Sequence, residues 1–220
     1  QTERYNIYTA VPATSAKRKH LTESFNIGTT MGYELNLSAM SLYTTRGIMA
    51  HLNAVNQQGG IQEQSHLRMY TYNDDYQPHQ AIRNINHMLN NGIETIMCPT
   101  GTPTLEGYIE KVRNNELLVL FPITGSPLFR DPELTGVIHF RGTYAQEVEA
   151  LITYMIDDYN ATSFAFFYQD DAYGRSALRG ARNVLQNRGI ENWTEVPYVR
   201  GAADFTEQAQ AIKKAAPQVI

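Results

Sequence analysis

The sequence predicts an α/β chain of two Rossmann-like lobes with parallel sheets, the second lobe incomplete within 220 residues. Three observations predict it. From Phe25 onward, short apolar segments of strand length alternate with segments of helix length, which implies a parallel sheet with helices on both faces. Leu117 to Phe121 is nearly all apolar, as a strand buried on both faces requires. The alternation breaks at 124–136, a loop rich in Gly, Pro and Asp, and then starts again. The expected organisation is a lead at 1–23, a first lobe at 24–140 and the start of a second lobe at 141–220.

Each element has its own signal. Residues 1–23 show no clear period, and Phe25 to Thr29 reads as the first strand. Tyr43 to Gln58 reads as a helix, with Ile48, Leu52 and Val55 on one stripe and Gly59-Gly60 as its stop. Leu67 to Tyr72 alternates and is rich in aromatics, which marks a strand. Pro78 opens a helix to Asn91, because proline at the first turn gives up no hydrogen bond, and Gly92 ends it. Glu94 to Cys98 is the next strand. A helix follows from Pro103 and Thr104 to Asn115, and then the strand Leu117 to Phe121. Val137 to Arg141 reads as an extended crossing segment. Thr143 with Gln146 forms a capping-box pattern for a helix to Tyr159. Ser163 to Tyr168 is a strand, Tyr173 to Arg188 a helix stopped by Gly189, and Trp193 to Val199 a strand. Asp204 with Glu207 caps a helix to Ala215. Val219-Ile220 opens a further strand, so the sequence reads as part of a longer polypeptide.

Composition narrows the function. Apolar residues make up 42% of the chain, enough for real cores. The net charge is −4 and no basic stripe is present, which argues against nucleic acid as a partner. The densest basic run, Lys17-Arg18-Lys19-His20, reads as a solvated turn. A single cysteine, Cys98, excludes an internal disulfide and any multi-cysteine metal site. It ends an apolar strand and reads as a small core side chain. The longest apolar stretch, Leu117 to Ile123, falls far short of a membrane span. The acid pairs Asp74-Asp75, Asp157-Asp158 and Asp170-Asp171 are sequence neighbours, whose side chains diverge on a strand or helix. The six histidines form no ligand pattern, and neither a nucleophile elbow nor a nucleotide-binding glycine motif occurs. Neither a catalytic constellation, nor a metal site, nor a cofactor is expected.

Open parallel sheets bind ligands outside the carboxyl ends of their strands. Three loops fall at that edge in the first lobe: Thr30 to Ser41, Thr100-Gly101-Thr102-Pro103-Thr104, and Thr124-Gly125-Ser126. The last two are dense in glycine and small hydroxyls. Such residues let a ligand approach the backbone and offer it short hydrogen bonds, and they are equally the chemistry of ordinary turns and caps. In the second lobe, Tyr173 can lay its ring over a ligand or pack across its own loop.

A set of motifs in order then resembles one family. Arg46-Gly47 precedes a helix that ends in Asn53-Ala54-Val55-Asn56-Gln57-Gln58-Gly59-Gly60-Ile61. Next come Asn73-Asp74-Asp75-Tyr76-Gln77-Pro78, the hydroxyl loop at 100–104, Phe121-Pro122, and Asp131-Pro132-Glu133-Leu134-Thr135. Phe140-Arg141 and Asp170-Asp171-Ala172-Tyr173-Gly174 complete the set. Each motif is weak alone. Together, from about 25 to 220, they resemble the branched-chain amino-acid-binding proteins, among the type I periplasmic binding proteins and related receptor ligand-binding domains.

The resemblance implies a clamshell that holds a small solute between two lobes. It implies contacts from Thr100, Gly101 and Thr102, from Thr124, Gly125 and Ser126, and from Tyr173, with Met40 where the family carries a first-loop aromatic. The function expected is an extracytoplasmic solute-binding protein of an ABC-type importer, with an amino acid or similar small carboxylate or amide as ligand. A sensory ectodomain of a membrane receptor is the alternative. The partners implied are the ligand and either a membrane permease or a receptor transmembrane segment. The location implied is periplasmic or extracellular, with or without a membrane anchor.

Overall fold

The computed structural model describes residues 23–34, 37–63 and 65–220. The expected lead at 1–23, with its basic run at 17–20, lies outside the described residues as far as position 22; Glu23 already belongs to the first strand. By contact the chain forms two compact units. The first runs to Ile123 and takes in Asp131–Phe140; the second comprises Thr124–Arg130 and Arg141–Ile220.

The first unit contains β1 (Glu23–Met31), α1 (Ser38–Gln57), β2 (Ser65–Asn73), α2 (Pro78–Asn90), β3 (Thr95–Met97), α3 (Thr102–Glu106), α4 (Ile109–Arg113), β4 (Leu118–Leu120) and β5 (Val137–Ile138). Its sheet has the order β2-β1-β3-β4-β5, with every pair parallel. The register is longest between β1 and β2, from Glu23 opposite Ser65 to Met31 opposite Asn73. Strand order reverses at β1, so the crevice outside the ends of β1 and β3 is the topological switch point where ligands sit in such sheets. Ile27, Leu52, Leu67 and Met69 form one buried cluster, joining α1 to β1 and β2. Gly28 lets α2 come down on β1, since a Cβ there would stand 2.2 Å from Met88 Sδ.

Two expectations are corrected, and a third gains detail. The helix expected from Pro103 to Asn115 is broken into α3 and α4 at Tyr108, whose backbone leaves helical values at φ −124° and ψ 16°. Val137–Ile138, the first part of the expected crossing segment, is a fifth strand paired with Val119 and Leu120, and the chain passes from the first unit to the second after Phe140. Cys98 lies past the end of β3 with φ 49°, half-buried, its N–H donating to Leu120 O.

The second unit contains a single 3-10 turn at Pro127–Phe129, α5 (Tyr144–Tyr159), β6 (Phe164–Gln169), α6 (Ala172–Asn187), β7 (Trp193–Tyr198) and α7 (Thr206–Ala215). β6 and β7 are parallel, and Val219 bridges Phe164 in parallel fashion as well. The sequence β7, β6, Val219 thus repeats the winding of β2, β1, β3. The capping box at α5 is present: Thr143 Oγ1 accepts from the Gln146 N–H, and Gln146 Oε1 accepts from the Thr143 N–H. Asp204 differs from expectation. Its carboxylate accepts from both the N–H and the hydroxyl of Thr206, and the helix starts there without Glu207 in a cap. The core joins Ile152, Ala161, Phe164, Ala181, Val184 and Leu185. Gly180 lets α6 press on α5, since a Cβ there would stand 2.6 Å from Ala145 Cα. Among the described residues, no helix is long and apolar enough to cross a membrane.

Candidate ligand-binding edges

In the first unit, the hydroxyl loop leaves the carboxyl end of β3 beside β1. The Thr100 N–H donates to Thr30 O at 3.3 Å, and Thr100 forms a bridge with Ile123. Thr100 is 3% exposed, and its Oγ1 has no hydrogen-bond partner among the described residues. Gly101 takes φ 105°, a conformation that suits glycine. Thr102 is buried as the first residue of α3. Thr104, one turn on, closes the loop by donating its hydroxyl to Thr100 O (2.6 Å) and Gly101 O (2.9 Å).

Beneath this loop lies one member of the acid pair Asp74-Asp75, and it both holds the turn after β2 and reaches β1. Asp74, at the end of β2, is 0% exposed. Its Oδ2 accepts from the Thr30 hydroxyl at 2.7 Å, and its Oδ1 from the Tyr76 N–H at 2.8 Å. Asn84 Nδ2 donates to Thr30 Oγ1 and Asn73 O. Burial pushes the Asp74 carboxyl up to about 6, against the two hydrogen bonds that favour its ionised form. Burial also raises the Tyr108 hydroxyl well above its usual range, with the Asp74 charge adding to the effect.

Met40 lies on the first turn of α1, 39% exposed. A groove of about 840 Å³ runs along α1 and the end of β2, lined by Tyr33, Leu42, Arg46, Met49, Asn53 and Thr71 among others. None of the eight candidate residues lines it.

The loop Thr124-Gly125-Ser126, expected in the first lobe, makes its contacts in the second unit. Gly125 O accepts from the Tyr144 N–H at 2.9 Å, and a Cβ on Gly125 would stand 2.7 Å from that nitrogen. Thr124 Oγ1 accepts from the Ser126 N–H, and Ser126 Oγ lies 3.3 Å from Ser176 Oγ on α6. Arg130 donates to the carbonyls of Arg141 and Gly142, which ties the segment's far end to the same unit.

Tyr173 sits on the first turn of α6, 39% exposed. Asp171 caps that helix by accepting from the Tyr173 N–H at 2.9 Å, and Gln169 Nε2 holds the other carboxylate oxygen at 2.5 Å. The Tyr173 ring meets Tyr144 edge-on, centroids 5.1 Å apart at 75°. Burial, then the neighbouring Tyr144, raise the Tyr173 hydroxyl above its usual value. Arg141 lies over the Tyr144 ring at 5.3 Å and pairs with Glu147.

The structure therefore brings Thr124, Gly125, Ser126 and Tyr173 together on one unit, with Tyr144 and Ser176 as members that the sequence did not single out. Tyr144 had a local signal as the first residue after the Thr143 cap; Ser176 had only its place one turn beyond Tyr173.

A parallel sheet with small hydroxyls at its switch point, and a second α/β unit presenting tyrosines, defines the class of the type I solute-binding proteins. The chain belongs to that family: residues 38–220 match the family model described as "Periplasmic binding protein". The fold is also that of solved members. A possible leucine/isoleucine/valine-binding protein from Rhodopirellula baltica SH 1 is 18% identical, with a TM-score of 0.79, covering 89% of this chain and 53% of that one. A fatty acid ABC transporter substrate-binding protein from Thermomonospora curvata is 18% identical, with a TM-score of 0.81, covering 89% and 49%. A leucine-binding protein from Thermotoga maritima is 13% identical, with a TM-score of 0.77, covering 87% and 54%. The chain thus spans about half the length of these proteins. No curated protein sequence matches it.

Proposed function

We propose that the protein is the extracytoplasmic solute-binding component of an ABC-type importer, taking an amino acid or a similar small carboxylate or amide, and that it catalyses nothing. The observation that carries this reading is the hydroxyl loop. A buried Thr100 hydroxyl with no hydrogen-bond partner among the described residues, at the switch point of a parallel sheet, supports a polar ligand there. Thr100, Gly101 and Thr102 take the polar headgroup. Thr124, Gly125, Ser126 and Tyr173 supply the second unit's contribution, and Met40 borders the solute from α1. The permease is the membrane partner. Solved relatives support the breadth of the ligand class: one is named for leucine, and one from R. palustris is in complex with benzoate.

A thermal-shift screen tests the reading, with amino acids, aromatic acids, fatty acids and short amides as panels. A solute at about 100 times its Kd adds roughly 2.7 kcal/mol of stability, a visible shift. One chemical class is expected to respond. A folded protein that shifts with none of the panels would overturn the reading.

A further inference from the structure

We propose that Tyr76 is the positioning residue of the hydroxyl loop: its ring is the wall on which Gly101 rests, and it thereby sets where Thr100 and Thr102 meet a solute. The inference rests on the ligand reading above and names a determinant that this reading does not contain. Tyr76 follows β2, yet its ring reaches the loop that follows β3. A Cβ built on Gly101 would stand 2.5 Å from Tyr76 Cε2 and 2.9 Å from Cδ2, closer than any side chain tolerates. The same Cβ would lie 2.6 Å from Thr104 Oγ1. Gly101 is thus held between an aromatic ring on one side and a hydroxyl on the other, and that hydroxyl also grips the carbonyls of Thr100 and Gly101.

The ring is held in place by an unusual turn. Asp75 and Tyr76 both take left-handed backbone conformations, φ 49° and 57°, which are costly for non-glycine residues. Asn73 Oδ1 accepts from the Asp75 N–H, and buried Asp74 accepts from the Tyr76 N–H. Gly32, at the end of β1, leaves room for the Tyr76 backbone, since a Cβ there would stand 3.2 Å from Tyr76 N. Asp74 also binds Thr30, whose carbonyl accepts from the Thr100 N–H. The turn and the hydroxyl loop therefore share one framework built on the end of β1.

Amide hydrogen exchange on wild type, Tyr76→Phe and Tyr76→Ala tests this, with calorimetric titration of L-leucine and of benzoate as probes. In Tyr76→Ala, exchange at the Gly101 and Leu105 amides should rise about ten-fold or more while β2 amides stay unchanged. The Kd of whichever probe the wild type binds should rise about ten-fold as well. Tyr76→Phe keeps the ring and should restore both. Unchanged exchange at 100–105 in the alanine variant overturns the proposal. Acceleration spread equally over β1 and β2 also overturns it, by showing mere core packing. A phenylalanine variant as impaired as alanine overturns the role of the ring. If the wild type binds neither probe while the local exchange effect appears, the choice of ligand class fails and the positioning role stands.

Discussion

Thr100 and Asp74 are both buried polar groups, and the physics asks opposite things of them. The Thr100 hydroxyl has no hydrogen-bond partner among the described residues, so replacing it with a methyl removes an unpaired group. Thr100→Val is expected to leave stability within about 0.5 kcal/mol or raise it, while solute affinity falls. Parallel chemical denaturation and titration check this, and intact affinity would remove Thr100 from the contact set. Asp74 is satisfied by two donors, and among the described residues it has no cation beside it. Its carboxyl titrates near 6 in the folded protein, above the unfolded value near 3.8. Between those values the folded state holds the extra proton, so stability present below about pH 4 is lost as pH rises through 6. Asp74→Asn has no such loss. The stability of the variant relative to wild type should grow by roughly 2–3 kcal/mol from pH 4 to pH 7. Urea titrations across that range read it directly, and a flat difference would show that the Thr30 and Tyr76 bonds hold the carboxylate ionised at no cost.

Elements were legible wherever apolar periodicity controlled them, and illegible where polar residues do core work. α1 starts at Ser38, five residues before the Tyr43 start expected, because its buried stripe is Ser41, Thr45, Leu52 and Asn56. Half of that stripe, and more, carries no hydrophobic signal. Likewise the break between α3 and α4 at Tyr108 is concealed, because Leu105, Tyr108 and Val112 are buried at the spacing of one continuous helix. Asn56 shows what such residues do. Among the described residues β2 is an edge strand, and the Asn56 amide donates to Leu67 O at 2.9 Å and accepts from the Leu67 N–H at 2.8 Å. A side chain from α1 thereby supplies the hydrogen bonds that a further strand would make there, and the edge is closed to other chains at that point. Asn56→Ala leaves two buried backbone groups unpaired and is expected to cost about 2–4 kcal/mol. Equilibrium unfolding measures the loss, and Asn56→Asp, which keeps only the acceptor, should fall no closer to wild type than midway.

At the scale of the molecule, the repeated winding was legible from alternation alone, since Phe25 to Phe121 and Thr143 to Val219 follow the same rule. The allocation of loops was not. Thr124-Gly125-Ser126 follows a strand of the first unit, and only the fit of Gly125 under Tyr144 and of Ser126 beside Ser176 assigns its contacts to the second. Contacts of that kind join residues 19 and 50 positions apart and leave no periodic trace. The cores, in contrast, are each closed within one unit: Met69 packs with Ile27, Leu52 and Leu67, and Leu185 with Ile152, Phe164 and Val184. Both side chains are fully buried, so truncating either to alanine should cost about 2–5 kcal/mol. Residues that share no packed neighbour act additively. Met69→Ala should therefore speed amide exchange through β1 and β2, Leu185→Ala through β6 and α6, and the double variant should show the sum of the two. Acceleration by Met69→Ala that extended through β6 would mean instead that the chain unfolds as one cooperative body, and that the two repeats of the winding share a single stability.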